Sequence, residues 1–348
     1  MYLPFVKAKG QPTLGLQPLA LADWIEVDQD FGAQLAYKAA LLADQHEIVF
    51  SALPESLAAQ KETLDLLVAH LLHYFPAMYQ PFGEGEVLGK DKESKREGIY
   101  NRNLQQTWRF SDFAAAPLDL AARLVQEDLC VMLPGEDGYC LAAASVCFPL
   151  RWCLTEKMGQ PLGLIHGQVP GYERRLNRPV NSVFERLRVD FSGVRFNWSV
   201  VDSPDLHLSE PKSEPKSEPK SEQKHAARFN NAITPENAGE KLWLRVERQT
   251  LRRLPLSGAV LFTIRSYVYL LAAVVERRSM ERRAAARAAA ESAAGAAIAQ
   301  QLSDAIQALT PDMQKYKNLL PFRQALLAYL SDRTRFDLLM AADFVDAG

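Results

Sequence analysis

This 348-residue chain has no excess of charge of either sign: 40 Lys and Arg stand against 42 Asp and Glu, a net charge of −2. Such a balance provides no global basic surface for a polyanion, so nucleic acid is not an expected partner. Long apolar runs are also missing. The nearest approach to a membrane span, Ser266 to Val275, stops at Glu276-Arg277-Arg278, well short of the ~18 residues that a spanning helix needs. The amino terminus, MYLPFVKAKGQ, lacks the basic-then-apolar order of a secretory signal. Cysteine is scarce, at Cys130, Cys140, Cys147 and Cys153. A cytoplasmic location with free thiols is the expectation. No Gly-x-Gly-x-x-Gly lies between a strand and a helix, which argues against a nucleotide bound in that manner. Gly85-x-x-x-Gly89-Lys90-Asp91 is one residue short of a phosphate loop and has no Ser or Thr after the lysine. No Cys-x-x-Cys pair supports a structural zinc site.

What is present is an ordinary globular composition, 48% hydrophobic and 24% charged, able to bury about three-quarters of the unfolded surface. The first hundred residues read mainly helical. Phe31, Leu35, Ala39 and Leu42 recur at helical spacing, as do Leu57, Leu64, Leu67 and Leu71 before Pro76. His70 and His73 fall three apart on the second of these helices, without an evident third metal ligand. Asp128 to Leu133, a turn at Pro134–Gly138 and the apolar run Tyr139 to Phe148 predict a hairpin with a deeply buried second strand. A short helix with a basic face is expected over Pro170 to Val189, then a strand over Val194 to Val201. The tetrapeptide repeat Ser209 to Lys224 (SEPKSEPKSEPKSEQK) has no apolar side chain and predicts a disordered insertion in a surface loop. Lys241–Leu254 and Ala259–Tyr269 alternate around a short turn, the strongest hairpin signal in the chain. Beyond Leu270 the pattern is helical, with an Ala/Arg-rich run from Glu276 to Leu309. Helices, then an antiparallel sheet with an inserted helix, then helices predict an α+β fold. The expected regions are 1–110, a sheet core over 111–270 with an insertion at 207–228, and 271–348.

Two places draw chemical interest. His166 sits between an apolar approach and a Gly/Pro-rich turn, Leu162-Gly-Leu-Ile-His166-Gly-Gln-Val-Pro170. A neutral imidazole there can ligate a metal or haem iron through one nitrogen while the other donates to a backbone carbonyl. A hydrogen-bonded core or loop histidine fits as well. Covalent attachment of a haem is excluded, because no Cys-x-x-Cys-His exists. The hairpin is the second place. If Leu254 pairs with Gly258, Glu247 faces Arg265, Arg245 faces Tyr267 and Gln249 faces Thr263, all on one face. Leu242, Leu244, Val246, Val260, Phe262 and Ile264 then share the other. The polar face is either a solvent-facing ion pair or a pocket wall in which Glu247 binds or deprotonates an amine. Arg252 and Arg253 are candidates for propionate or phosphate contacts, or rim charges.

Several runs together resemble the haem-dependent oxidative N-demethylase family. They are Gln126-Glu-Asp-Leu-Cys-Val131, Val146-Cys-Phe-Pro-Leu-Arg-Trp152, Ile165-His166 with Val169-Pro170, Arg195-x-Asn197-Trp198, Arg245-Val-Glu-Arg-Gln-Thr-Leu-Arg-Arg-Leu-Pro255, Phe262-Thr-Ile-Arg265 and Tyr316-Lys317. The resemblance implies a PAS-like antiparallel sheet holding haem b, with iron on His166 and Arg248, Arg252, Arg253 and Trp152 at the cofactor. It implies oxygen-dependent demethylation of a small secondary amine such as dimethylamine, releasing formaldehyde. Glu247, Arg265 and Tyr267 are the expected catalytic groups. A separate reductase with FMN and an iron–sulfur cluster is the implied electron donor, within a possible hetero-oligomer. The competing expectation is a non-catalytic haem-binding sensor or carrier, since fold does not fix function. A haem-free interaction protein is the third.

Overall fold

A computed structural model describes residues 1–7, 14–83, 96–209, 233–275 and 297–345. The repeat insertion and most of the Ala/Arg-rich run lie outside the described residues, as does nearly all of the loop that contains the incomplete phosphate motif.

Ten strands are described: β1 (Gln17–Pro18), β2 (Phe50–Ala52), β3 (Tyr79–Phe82), β4 (Gly98–Asn101), β5 (Gln106–Arg109), β6 (Asp128–Gly135), β7 (Gly138–Ser145), β8 (Ser192–Val201), β9 (Trp243–Arg253) and β10 (Val260–Leu270). Seven form one sheet in the order β1-β8-β9-β10-β6-β7-β2, and every pairing in it is antiparallel. The α+β architecture is therefore that expected from the element order. The remaining three, β3-β4-β5, form a small separate sheet. These short strands were not expected; the region is otherwise mainly helical, as anticipated. Their signals were weak because each has only four residues and Pro81 interrupts one of them.

Helices cover both faces of the large sheet. On the back, α1 (Phe31–Asp44), α2 (Leu57–Tyr74) and α3 (Pro117–Leu124) pack Leu35, Leu67, Leu71 and Leu120 against Leu129, Val131 and Leu261. Further along the same face, α7 (Leu271–Val275), the helical residues 297–307, α8 (Pro311–Tyr316) and α9 (Arg323–Val345) cover Leu244, Val246, Trp198 and Val200. On the front, α4 (Leu162–Ile165), α5 (Tyr172–Arg175) and α6 (Asn177–Arg186) seat Leu162, Tyr172, Val180 and Phe184 on Cys130, Met132, Leu251 and Val260. Each large apolar side chain fully buried this way contributes about 1.5–3 kcal/mol.

The β9–β10 hairpin has the predicted strands and a different register. Leu254 N donates to Ala259 O at 2.8 Å and Gly258 N to Leu254 O at 3.1 Å. The four residues 255–258 therefore form the loop, with Gly258 at φ +69°. Glu247 pairs with Ser266, Arg245 with Val268 and Gln249 with Ile264. A slip of one residue exchanges the faces of a strand. Glu247 and Arg245 lie on the front, whereas Arg265 and Tyr267 lie on the back. The expected division into one polar and one apolar face is overturned for the same reason. Leu244 and Val246 are on the back, and Val260 and Phe262 on the front.

Candidate functional site

The front face of β8 and β9 carries a polar group that alternation alone assembles. Arg195 and Asn197 point forward from β8, while Phe196 and Trp198 point back. Asn197 lies opposite Glu247, and Arg195 opposite Gln249. Asn197 Nδ2 donates to Glu247 Oε2 at 3.3 Å and Gln249 Nε2 donates to the same oxygen at 2.9 Å. No described residue hydrogen-bonds Glu247 Oε1. Lys317, just beyond α8, enters from the side, its Nζ donating to Trp198 O at 2.5 Å and lying 3.4 Å from Asn197 Oδ1. Burial, and secondarily the nearby Arg195 charge, pulls its pKa down to about 8 against the opposing attraction of Glu247.

His166 closes α4 on the same side. Its Nδ1 lies 3.0 Å from Leu162 O. A carbonyl only accepts, so Nδ1 carries the proton and Nε2 keeps its lone pair. The ring stacks on Tyr172, with centroids 4.9 Å apart and planes 11° from parallel. Burial holds its pKa below the ordinary imidazole range. The Leu162 bond opposes this, and the positive charges of Arg195 and Lys157 reinforce it. The imidazole is therefore neutral at pH 7. His166, Arg195 and Lys317 are densely surrounded by protein, yet each keeps part of its surface accessible. Together they make a partly accessible patch on the front of the sheet, termed the recess.

Residues 15–327 match the model of a family described as haem-dependent oxidative N-demethylase, alpha subunit-like. The chain belongs to this family. Membership implies a haem-dependent oxidative N-demethylase, an oxidoreductase. The residues of the recess fit a haem. A neutral imidazole with a fixed tautomer is the form that ligates iron. Tyr172 Oη, Arg195 Nε and Gln249 Oε1 are buried here without a hydrogen-bond partner among the described residues, so polar atoms are available to a bound group or to ordered water.

The other residues expected at the site are not brought to it. Arg265 donates to Asp28 Oδ2 and Gln34 Oε1, both at 2.6 Å, and Tyr267 donates to Glu26. Arg248 Nε is 3.2 Å from Glu26 Oε1, and its other nitrogens hold Trp24 O and Asp23 O. Arg252 lies over the Trp24 ring at 4.8 Å. All four are on the back face, where they fasten the segment before α1 to the sheet. Arg253 is on the front, but it holds Leu187 O at 2.5 Å, Gly258 O at 2.7 Å and the Tyr139 hydroxyl at 2.9 Å. Trp152 lines a separate cavity of about 360 Å³ with Gln45, Cys153 and His207. His70 packs edge-on against Trp24 at 5.0 Å in the core, where burial, and then the Arg252 charge, lowers its pKa to about 4.

Arg195, Asn197, Gln249, Tyr172 and Lys317 were not singled out by role in the sequence. The signal was there in part: Arg195-x-Asn197 is an alternating polar pair inside an apolar strand, and two polar residues on one face of a covered strand need partners. Nothing local brings Lys317, more than a hundred residues later, to Asn197.

Proposed function

We propose that the chain is the haem b-binding subunit of an oxygen-dependent N-demethylase acting on a small secondary amine such as dimethylamine, with release of formaldehyde. Electrons would come from a separate reductase subunit carrying FMN and an iron–sulfur cluster. The observation that carries this reading is a neutral His166 and an open Glu247 carboxylate on one front-face recess, with the family match beside it. A PAS-like sheet is supported by the strand order. The first two strands of the central five, β6 and β7, sit beside the fifth, β10, and the short helices α4–α6 fall between the second and third.

His166 Nε2 would hold the iron, with Leu162 O fixing the ring orientation through Nδ1. Haem bound there supplies the dioxygen chemistry, tuned by its axial ligand and by the polarity around it. A dialkylamine is cationic at neutral pH, and its nitrogen lone pair is blocked. Glu247 Oε1 binds the ammonium by a charge-assisted hydrogen bond. Asn197 and Gln249 hold Oε2, which fixes the carboxylate plane. Oε1 then takes the proton and frees the lone pair. Burial of the recess favours this transfer by disfavouring the separated charges.

An absorbance spectrum of the haem-reconstituted protein, oxidised and then reduced under carbon monoxide, tests the ligand. His166→Ala should lose the wild-type spectrum while its far-UV circular dichroism is unchanged. A variant that keeps the wild-type spectrum removes His166 from the role.

A further inference from the structure

Arg195, Arg245, Arg252 and Arg265 all keep a buried Nε without a partner. What sets Arg195 apart is that its terminal nitrogens are also unengaged, whereas Arg252, which has no hydrogen bond either, lies over the Trp24 ring. Arg245 places Nη1 on Leu206 O at 2.9 Å and Nη2 on Phe148 O at 2.6 Å. Arg248, Arg253 and Arg265 have carbonyl or carboxylate partners already described. The Arg195 guanidinium has no hydrogen bond or ion pair with any described residue. Its Nε is buried and unpartnered, while part of its side chain stays accessible. Glu247 attracts it without reaching salt-bridge distance, and Tyr172, with its own orphaned hydroxyl, is the other neighbour felt electrostatically. Lys317 is the second cation of the recess. Two cations against one carboxylate leave a positive charge over, in a place where an unpaired charge is costly. Guanidinium presents a planar fork that matches a carboxylate.

We propose that Arg195, with Lys317 beside it, is a carboxylate-binding site in the recess. Carboxylates of two sources have this chemistry: a propionate of haem, or the carboxylate of an N-methylated amino acid whose ammonium sits on Glu247. The second source would make the substrate class zwitterionic rather than a bare dialkylamine. The proposal shares its recess with the functional reading above and stands on a different residue, so the two can fail separately.

The test compares ligands with and without the carboxylate on wild type and Arg195→Gln. Titration of the haem-free protein with ferric protoporphyrin IX and with its dimethyl ester, followed by absorbance, reads the first source. Calorimetry of the haem-loaded protein with N-methylglycine and with dimethylamine reads the second. If no porphyrin binds, calorimetry uses the haem-free protein. The expected result is a loss of about ten- to a hundred-fold in affinity for one carboxylate-bearing ligand, as removal of a charged hydrogen-bond partner produces. Its carboxylate-free analogue should bind both proteins alike. Because Arg195 has no bond to the described protein, the substitution should leave the haem-free fold intact. Arg195→Met should raise the melting temperature of the ligand-free protein. Equal affinities of wild type and Arg195→Gln for both carboxylate ligands overturn the proposal, whether or not haem binds to His166.

Discussion

The two faces of the central sheet use the same residue types for opposite ends. On the back, Arg265 is fully buried and holds Asp28 and Gln34, and Glu127 Oε1 accepts from Glu26 N at 3.1 Å. Lys38, also fully buried, donates to Val125 O at 3.0 Å and Glu127 O at 2.6 Å. Those groups tie the N-terminal segment and α1 to the strands. On the front, Arg195, Tyr172 and Gln249 keep atoms without partners, and Glu247 Oε1 is open. The back keeps orphaned atoms too, among them Arg265 Nε, Arg252 Nε and Glu127 Oε2. There, however, the rest of each group is engaged by the N-terminal segment or by the Trp24 ring, whereas on the front the whole Arg195 guanidinium and Glu247 Oε1 are left over. The proposed chemistry uses the front, although both faces carry buried charge.

The comparison breaks first, and most severely, at Arg265. Arg265→Met leaves Asp28 and Gln34 without their buried donor. It should cost roughly 2–3 kcal/mol in urea unfolding, the scale of lost hydrogen bonds to a charged group, because the Asp28 carboxylate left behind is 32% exposed and can rehydrate. Arg195→Met, on the same sheet but partly accessible, should change stability by less than about 1 kcal/mol or increase it. Equal losses from the two would erase the distinction between the faces.

Glu247→Gln sharpens the comparison from the other side. It keeps the shape and the hydrogen-bonding capacity while removing the charge. Haem content and melting temperature should stay near wild type, while formaldehyde release with an added reductase should fall by about a hundred-fold or more, the scale of a lost general base. Unchanged turnover would take Glu247 out of the chemistry. The back-face variant Tyr267→Phe should retain turnover in the same assay. A fall matching that of Glu247→Gln would move the reaction to the other face.

The smallest expected effect is in pH. Burial depresses the pKa of His70 to about 4 from an ordinary 6.5. Between those values the unfolded chain binds more protons than the folded one, so stability rises with pH across the window and is lost as pH falls through it. His166 is depressed in the same direction. Unfolding midpoints measured from pH 7 to pH 4 should fall, and His70→Gln should flatten part of that slope. A slope unaltered in His70→Gln would show that the ring is not buried neutral.

Much of the architecture was legible in the chain. The two long N-terminal helices, the β6–β7 hairpin, the β8 strand and the β9–β10 pair all follow from apolar periods that hold over enough residues to be read. The short β3–β5 sheet was not legible, because three four-residue strands carry too few alternations. The turn after Leu254 shows how local geometry decides a site. Pro255-Leu-Ser-Gly258 is compatible with two registers, and only the bond from Leu254 to Ala259 selects one. That single step separated Glu247 from Arg265 and Tyr267.

Sequence alone determined the elements, the α+β order, the His166 turn and the family, because periodicity, turn chemistry and ordered motifs are properties of neighbouring residues. Tertiary structure decided which charges meet. The partners of Arg265, Arg195 and Lys317 come from segments many tens of residues away. Whether an arginine ends up bound or waiting depends on the register and layering that bring those segments together, which no local pattern encodes.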